Sequence, residues 1–247
     1  ENRRAWATKA VADLQADLSR LSVNRQQYLR RLDGLVFGEN PREGFFQDAT
    51  FRHPDMAFRL DFPRGWKSSN GKQAVGAVSP NQDAIVVLTL ASAPSARQAA
   101  EKFFSQEGVE PLETSRRQIG GFPAVVASFR ARTEQEVLRG LAGWIEYQER
   151  VYQILGYTKD ASWNQYGSVF AASIGSFGRE SDPAVLNVKP RRLTIVELNR
   201  SSTFEDLLRD YPSTVDPQTV AFINSLQPSA SLAAGDQFKR VVGGPAR

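Results

Sequence analysis

The chain has 247 residues, 41% hydrophobic and 23% charged, the balance of a globular protein with room for one large core or two smaller ones. It contains no cysteine, which excludes disulfides, thiolate metal sites and cysteine nucleophiles. The net charge of +4 comes from basic pairs scattered along the chain, such as Arg30-Arg31 and Arg116-Arg117, and lacks the one-sided clustering of a nucleic-acid binder, so no nucleic-acid partner is expected.

In chain order, Trp6, Ala10, Leu14, Leu18 and Leu21 step by three or four, predicting an amphipathic helix over residues 3–21. Asn24 is placed to cap a second helix, whose apolar face is Tyr28, Leu29 and Leu32 and which Gly34 ends. The stretch 35–44, LVFGENPREG, carries two glycines and a proline with few apolar residues, and reads as a linker and turn. From Thr50 the period becomes strand-like through Phe51, Met56, Phe58, Leu60 and Phe62. Strands follow over 75–78 and 85–90, joined by the turn Ser79-Pro80-Asn81-Gln82. Ser95 caps a helix that turns Ala99, Phe103 and Phe104 inward and stops at Gly108, after which strands 112–119 and 124–132 flank Gly120-Gly121.

The stretch 141–177 is the structural centre. Two strand runs that meet at Glu149-Arg150 are apolar on both faces, as strands inside a covered sheet are. Trp163, Tyr166, Phe170, Ile174 and Phe177 then recur on one helical face that roofs the sheet. Past the polar run 179–183 the pattern is a strand at 193–198, helices at 203–210 and 216–226, and a strand at 237–242, with Asp216-Pro217 as a helix start. The fold class is therefore α+β, an antiparallel sheet with packed helices, preceded by a helical linker and followed by a small βααβ module. The expected domains are 1–48, 49–180 and 190–244.

Few residues suit catalysis. His53 is the sole histidine, too few for a zinc site of the HExxH type, and without a GxSxG elbow it makes no serine-hydrolase base; it reads as a strand-end histidine bonded to backbone. Glu146 and Glu149 read as exposed hairpin charges rather than a glycosidase pair. The aromatics Trp66, Trp144, Tyr147, Tyr157 and Trp163 read as core rather than a ligand groove. No run approaches the roughly 20 apolar residues of a membrane span, so no transmembrane segment is expected. The start at Glu1, without Met or an apolar export segment, reads as a fragment or processed product.

Two stretches carry a resemblance. Tyr28, Leu29, Asp33, Gly34, Leu35, Gly38, Pro41 and Gly44, then Phe51, His53, Pro54, Phe58, Phe62, Pro63, Gly65 and Trp66, resemble the segment just downstream of the catalytic domain in bacterial zinc metallopeptidases of family forty-eight, the periplasmic HtpX-like branch. That resemblance implies a PsbP-like sheet domain over 50–178. Residues 191–243 resemble a LysM module, with Asn224, Leu232, Gly235, Asp236 and Phe238 at fitting positions and a departure at Arg200-Ser201-Ser202-Thr203-Phe204, where the glycan loop usually has Gly-Asp-Thr/Ser-Leu.

The resemblance implies a non-catalytic accessory region of a cell-envelope metalloendopeptidase, periplasmic or outer-membrane associated in a Gram-negative bacterium. It positions the protease or its substrates. No catalytic, cofactor or metal residue falls on this chain; zinc is expected in an upstream peptidase domain, the first partner. Peptidoglycan and envelope proteins are further partners, with Ser201, Thr203, Gln227 and Ser229 as candidate glycan contacts. The alternative is a free-standing module that binds peptidoglycan or another protein.

Overall fold

The computed structural model describes Lys9 and residues 24–133, 136–227 and 229–244. Apart from Lys9, the expected helix at 3–21 lies outside the described residues. The described chain divides into two compact units, one of residues up to Phe37 with Arg191–Val242, the other of Gly38–Pro190 with the last glycines. This differs from three domains in succession, and hydrogen bonding explains why.

The first helix, α1 (Arg25–Arg31), starts where the Asn24 side chain accepts the Gln27 N–H and buries Leu29. The stretch after it is not a linker throughout. Leu35–Phe37 runs as an edge segment whose backbone bonds to Arg191 and Leu193, while Asn40 caps a short 3-10 turn at Pro41–Glu43 in the other unit. A low apolar content concealed this because an edge segment is held by its backbone groups.

The larger unit is all antiparallel in its sheets. Strands β1 (Phe45–Gln47), β2 (Thr50–His53) and β3 (Phe58–Asp61) form a small sheet. Strands β4 (Lys67–Asn70), β5 (Val75–Val78) and β6 (Ala84–Ala91) lead to helix α2 (Ala96–Phe104), after which β7 (Val109–Ile119), β8 (Phe122–Arg132), β9 (Val137–Tyr147) and β10 (Arg150–Lys159) run as a meander. Their order in the large sheet is β4-β5-β6-β10-β9-β8-β7. The central pair predicted from two-sided apolarity, β9 and β10, does lie inside it. Helix α3 (Trp163–Gly175), strand β11 (Gly178–Arg179) and the four-residue helix α4 (Pro183–Leu186) complete the unit, with β11 on the edge of the small sheet beside β3.

Three layers result. On one face of the large sheet, α3 and the small sheet share a core with Val86, Leu88, Ile145, Tyr152 and Ile154. On the other face α2 covers Val125, Ala127, Trp144 and Val151. Close approach of α3 depends on missing side chains: a Cβ at Gly143 would stand 2.5 Å from Ile174, and one at Gly156 would stand 2.4 Å from Phe170. Burying a side chain the size of Phe170 contributes about 1.5–3 kcal/mol, so this face is a main source of stability. Trp144 is fully buried, and its indole N–H donates to Gln153 Oε1 at 2.8 Å, leaving no polar group stranded.

The smaller unit holds β12 (Arg192–Glu197), β13 (Ser202–Thr203), α5 (Phe204–Asp210), α6 (Pro217–Asn224), β14 (Ser231–Leu232) and β15 (Gln237–Val242). β12 and β15 pair antiparallel, which gives the anticipated βααβ order, and Leu198, Phe204, Leu207, Val220 and Phe238 fill its core. The edge segment after α1 extends this pair. Asp33 accepts the Ile195 N–H at 2.9 Å, and the Arg192 guanidinium donates to the Gly34 carbonyl at 2.5 Å. Among the described residues no helix is long and apolar enough to cross a membrane.

Candidate functional site

The candidate site is a cleft of about 420 Å³ in the larger unit, between the small sheet and the β5-β6-β10 end of the large one. Strand periodicity builds its wall. Val86, Leu88 and Leu90 share one face of β6, and whereas Val86 and Leu88 are buried, Leu90 is 49% exposed at the strand end, where the small sheet no longer covers it. Met56 and Phe58 line the opposite side, and the turn Asn70–Ala74 between β4 and β5 forms the lip. A second, more polar hollow of about 530 Å³ adjoins it and shares Glu43, His53, Asn70, Gly71 and Lys72.

Tyr152, on β10, lines this cleft. Its ring packs 4.9 Å from Phe58 and 5.0 Å from Phe177, centroid to centroid, and the residue is 1% exposed. Among the described residues its hydroxyl has no hydrogen-bond partner. Burial pushes its pKa up to about 12, with Arg150 opposing and Tyr147 adding to the shift. The group is thus a neutral, buried donor at any physiological pH, and a buried polar group left unmatched is unfavourable to the fold.

His53 ends β2, and its Nδ1 accepts the Met56 N–H at 3.2 Å, as a backbone-bonded strand-end histidine should. The Nε2 therefore carries the proton in the neutral ring. Burial lowers its pKa, Asp55 opposes that, and Arg150 and Arg42 reinforce it. Among the described residues Lys72 forms no ion pair, whereas Arg42 in the same hollow is engaged by Asp55 and by the Leu186 carbonyl. The polar end of the cleft therefore sets Lys72 and His53 beside the Glu43 carboxylate and the Asn70 amide.

The other residues weighed from sequence fall elsewhere. Glu146 is not a free hairpin charge: its carboxylate accepts the Ala96 N–H at 2.7 Å and so caps the start of α2, beside the Ser95 cap. Glu149 is exposed at the hairpin tip. Of the aromatics, Trp144 and Tyr147 are core, Trp66 packs edge-on to Tyr166, and Trp163 lies under the Arg139 guanidinium at 4.6 Å. Among the described residues no group of three His, Asp or Glu side chains is placed to hold a metal ion.

The four candidate glycan contacts belong to two loops of the smaller unit. Pairing of β13 with β14 sets Ser202 opposite Leu232 and Thr203 opposite Ser231, which draws the loop carrying Ser201 and Thr203 toward the one carrying Gln227 and Ser229. Ser201, Gln227 and Ser229 are exposed. The Thr203 hydroxyl is occupied, because it accepts the Asp206 N–H and donates to Asp206 Oδ2 in a capping box. Those bonds and Arg209 hold the Asp206 carboxyl down at about 2.

Sequence reasoning did not find Tyr152, Lys72 or Leu90 as a set. The one signal available was Leu90, which stays in phase with Val86 and Leu88 beyond the point where a cover exists.

No family model matches the chain, and no curated protein matches it. Among solved structures it is similar to the cyanobacterial PsbP protein of Synechocystis (16% identity, 53% of this chain and 91% of that one, TM-score 0.44). It is also similar to LpqN of Mycobacterium tuberculosis, described as involved in cell envelope biogenesis (14% identity, 50% and 83%, TM-score 0.40). A third similar chain is a Pseudomonas aeruginosa protein of unknown function described as a putative regulator (18% identity, 50% and 92%, TM-score 0.38).

Proposed function

We propose that this chain is a non-catalytic accessory region of a cell-envelope zinc metallopeptidase of the HtpX-like group, with a PsbP-like sheet domain and a LysM-like module, and that it positions the protease or its substrates. One observation carries the reading: apart from the exposed Tyr28 and Leu35, many of the motif residues between Tyr28 and Trp66 that suggested the parentage are used as scaffold. Asp33 ties the edge segment to β12, Gly44 turns at φ 91° against the Phe51 ring, and Phe51, Phe58 and Phe62 are buried in the core. His53 holds the Met56 backbone, and Trp66 packs on Tyr166. A motif built from packing and turn residues specifies how a region folds and docks, which suits an accessory role. Zinc, the general base and a location outside the cytoplasmic membrane belong to this proposal as properties of the whole polypeptide.

The gene upstream of Glu1 tests it. An open frame encoding HExxH within the preceding couple of hundred codons is the expected result, and a frame without that motif removes the parentage. A second reading, a peptidoglycan-binding module, is favoured by the two paired loops that expose Ser201, Gln227 and Ser229. Co-sedimentation with purified sacculi is expected under that reading, and a protein left wholly in the supernatant excludes it.

A further inference from the structure

We propose that the free edge of β7 pairs antiparallel with the same edge of a second copy of this chain, joining two large sheets across a two-fold axis through Ser115. The proposal rests on β7 and its hairpin partner and does not depend on the peptidase parentage.

β7 ends the large sheet and is bonded to β8 on one side only. Residues 110–114 and 116–118 of it are exposed. An edge strand recruits other strands unless it is short, bulged or blocked by proline. Here those guards sit at one end, in Pro111 and the bulge between Pro111 and Glu113. The run 114–118 beyond them pairs regularly with β8 and carries neither guard.

The hairpin decides which backbone groups face outward. Gly120 and Gly121, at φ 59° and 86°, make a two-residue turn, so Ile119 and Phe122 close it as a hydrogen-bonded pair. Alternation then aims the backbone groups of residues 117, 115 and 113 at β8. The Glu113 N–H does donate to Ser128 Oγ on that strand, at 3.2 Å. Thr114, Arg116 and Gln118 therefore present their N–H and C=O groups to the open side, and among the described residues no backbone group from another segment bonds them.

Charge selects the occupant and the register. Outward residues pair only with outward residues, so a two-fold pairing slides in steps of two. Centred on Ser115, it sets Thr114 opposite Arg116 of the second copy as hydrogen-bonded pairs, and Glu113 opposite Arg117, each twice. Centred on Arg116, it sets two guanidinium groups against each other. Centred on Thr114, it leaves Glu113 opposite a serine. Glu110 is engaged by Arg132, whereas Glu113 has no ion-pair partner among the described residues and Arg117 bonds only the Ser115 hydroxyl. The edge thus carries its own electrostatic complement, which favours a second copy over an unrelated strand.

Sedimentation equilibrium of the whole chain tests this, with a monomer–dimer Kd on the order of 0.1 mM expected for an interface one strand wide. Glu113→Arg and Arg117→Glu each put like charges at both cross-strand positions, and each alone is expected to dimerise about tenfold more weakly. Mixed in equal amounts, the two variants put opposite charges at both positions and are expected to associate as tightly as the parent. Thr114→Pro deletes an outward N–H and takes no bond from β8, so it is expected to abolish the dimer while the circular dichroism stays that of the parent. A monomer at every concentration overturns the proposal and leaves the edge to an extended strand of another protein. So does a dimer that both charge reversals leave as tight, a mixture that associates no better than either variant alone, or a folded Thr114→Pro protein that still dimerises.

Discussion

The two units hold themselves together in different ways. In the larger unit the large sheet is covered on both faces, and bulky side chains such as Trp144, Ile145, Tyr152, Phe170 and Phe177 are almost wholly buried. In the smaller unit the buried side chains among the described residues are fewer and smaller, a cluster of Leu198, Phe204, Leu207, Val220 and Phe238 with Leu29, Leu193 and Val241 also buried, and polar brackets do much of the joining. Asn224, 7% exposed, donates to the Val220 and Lys239 carbonyls and accepts the Lys239 N–H, so one side chain links α6 to β15. Asp33 and Arg192 attach an edge segment from the far end of the sequence. A module this small lacks the volume for a large core, so it draws on backbone pairing from a distant segment and on capping groups. Area therefore dominates one unit and hydrogen-bond geometry the other.

The comparison can be broken or sharpened by mutation, beginning with the largest effect. Trp144→Ala removes a fully buried indole from between α2 and the sheet and is expected to cost about 3–5 kcal/mol. Denaturant unfolding followed by tryptophan-independent circular dichroism should show that loss in the larger unit alone. Arg52→Ala is next: Glu180 is 3% exposed and bonded to Arg52 at 2.5 Å, and stranding its charge is expected to cost about 3–5 kcal/mol less whatever its Ser181 and Asp182 N–H bonds still supply. In Arg52→Ala/Glu180→Gln much of that loss should return.

Tyr152→Phe runs the other way. It deletes a buried hydroxyl without a partner, and the melting temperature should rise by the equivalent of about 1–3 kcal/mol in the absence of ligand. In the smaller unit, Asp33→Ala frees the Ile195 N–H and should cost about 1 kcal/mol, with faster amide exchange at Ile195 but not in β9 or β10.

The smallest effect is on pH. Asp206 titrates at about 2 in the folded chain against an ordinary carboxylate near 3.8, so its contribution to α5 is complete above about pH 4 and disappears as the pH falls toward 2. Asp206→Asn should flatten that acid limb of a helicity titration.

How much was legible in the sequence varied with the kind of force. The β9-β10 hairpin, α3 and the βααβ order were readable because each rests on a hydrophobic period that local sequence displays directly. The hairpin tip was less so. Gln148 and Glu149 both adopt positive φ, 48° and 59°, without the glycine or asparagine that usually marks such a turn, and only the flanking pairs reveal it. The edge segment at Leu35–Phe37 was missed because its partners lie more than 150 residues away, at Arg191 and Leu193. Glu146 was misjudged as an exposed charge for the same reason, since its partner is an amide on another element.

By itself, then, the sequence determined the α+β class, the central strand pair, the roofing helix and the absence of thiol chemistry, all of which follow from local period and composition. Only the tertiary structure decided that α1 and the edge segment after it share a unit with β12 and β15, that Leu90 is left half exposed at the end of a buried stripe, and that the Tyr152 hydroxyl is buried unmatched among the described residues. Those facts depend on which distant groups meet. Residue period records which face of an element is apolar, but it holds no measure of where the opposing cover ends or of which buried donor finds an acceptor.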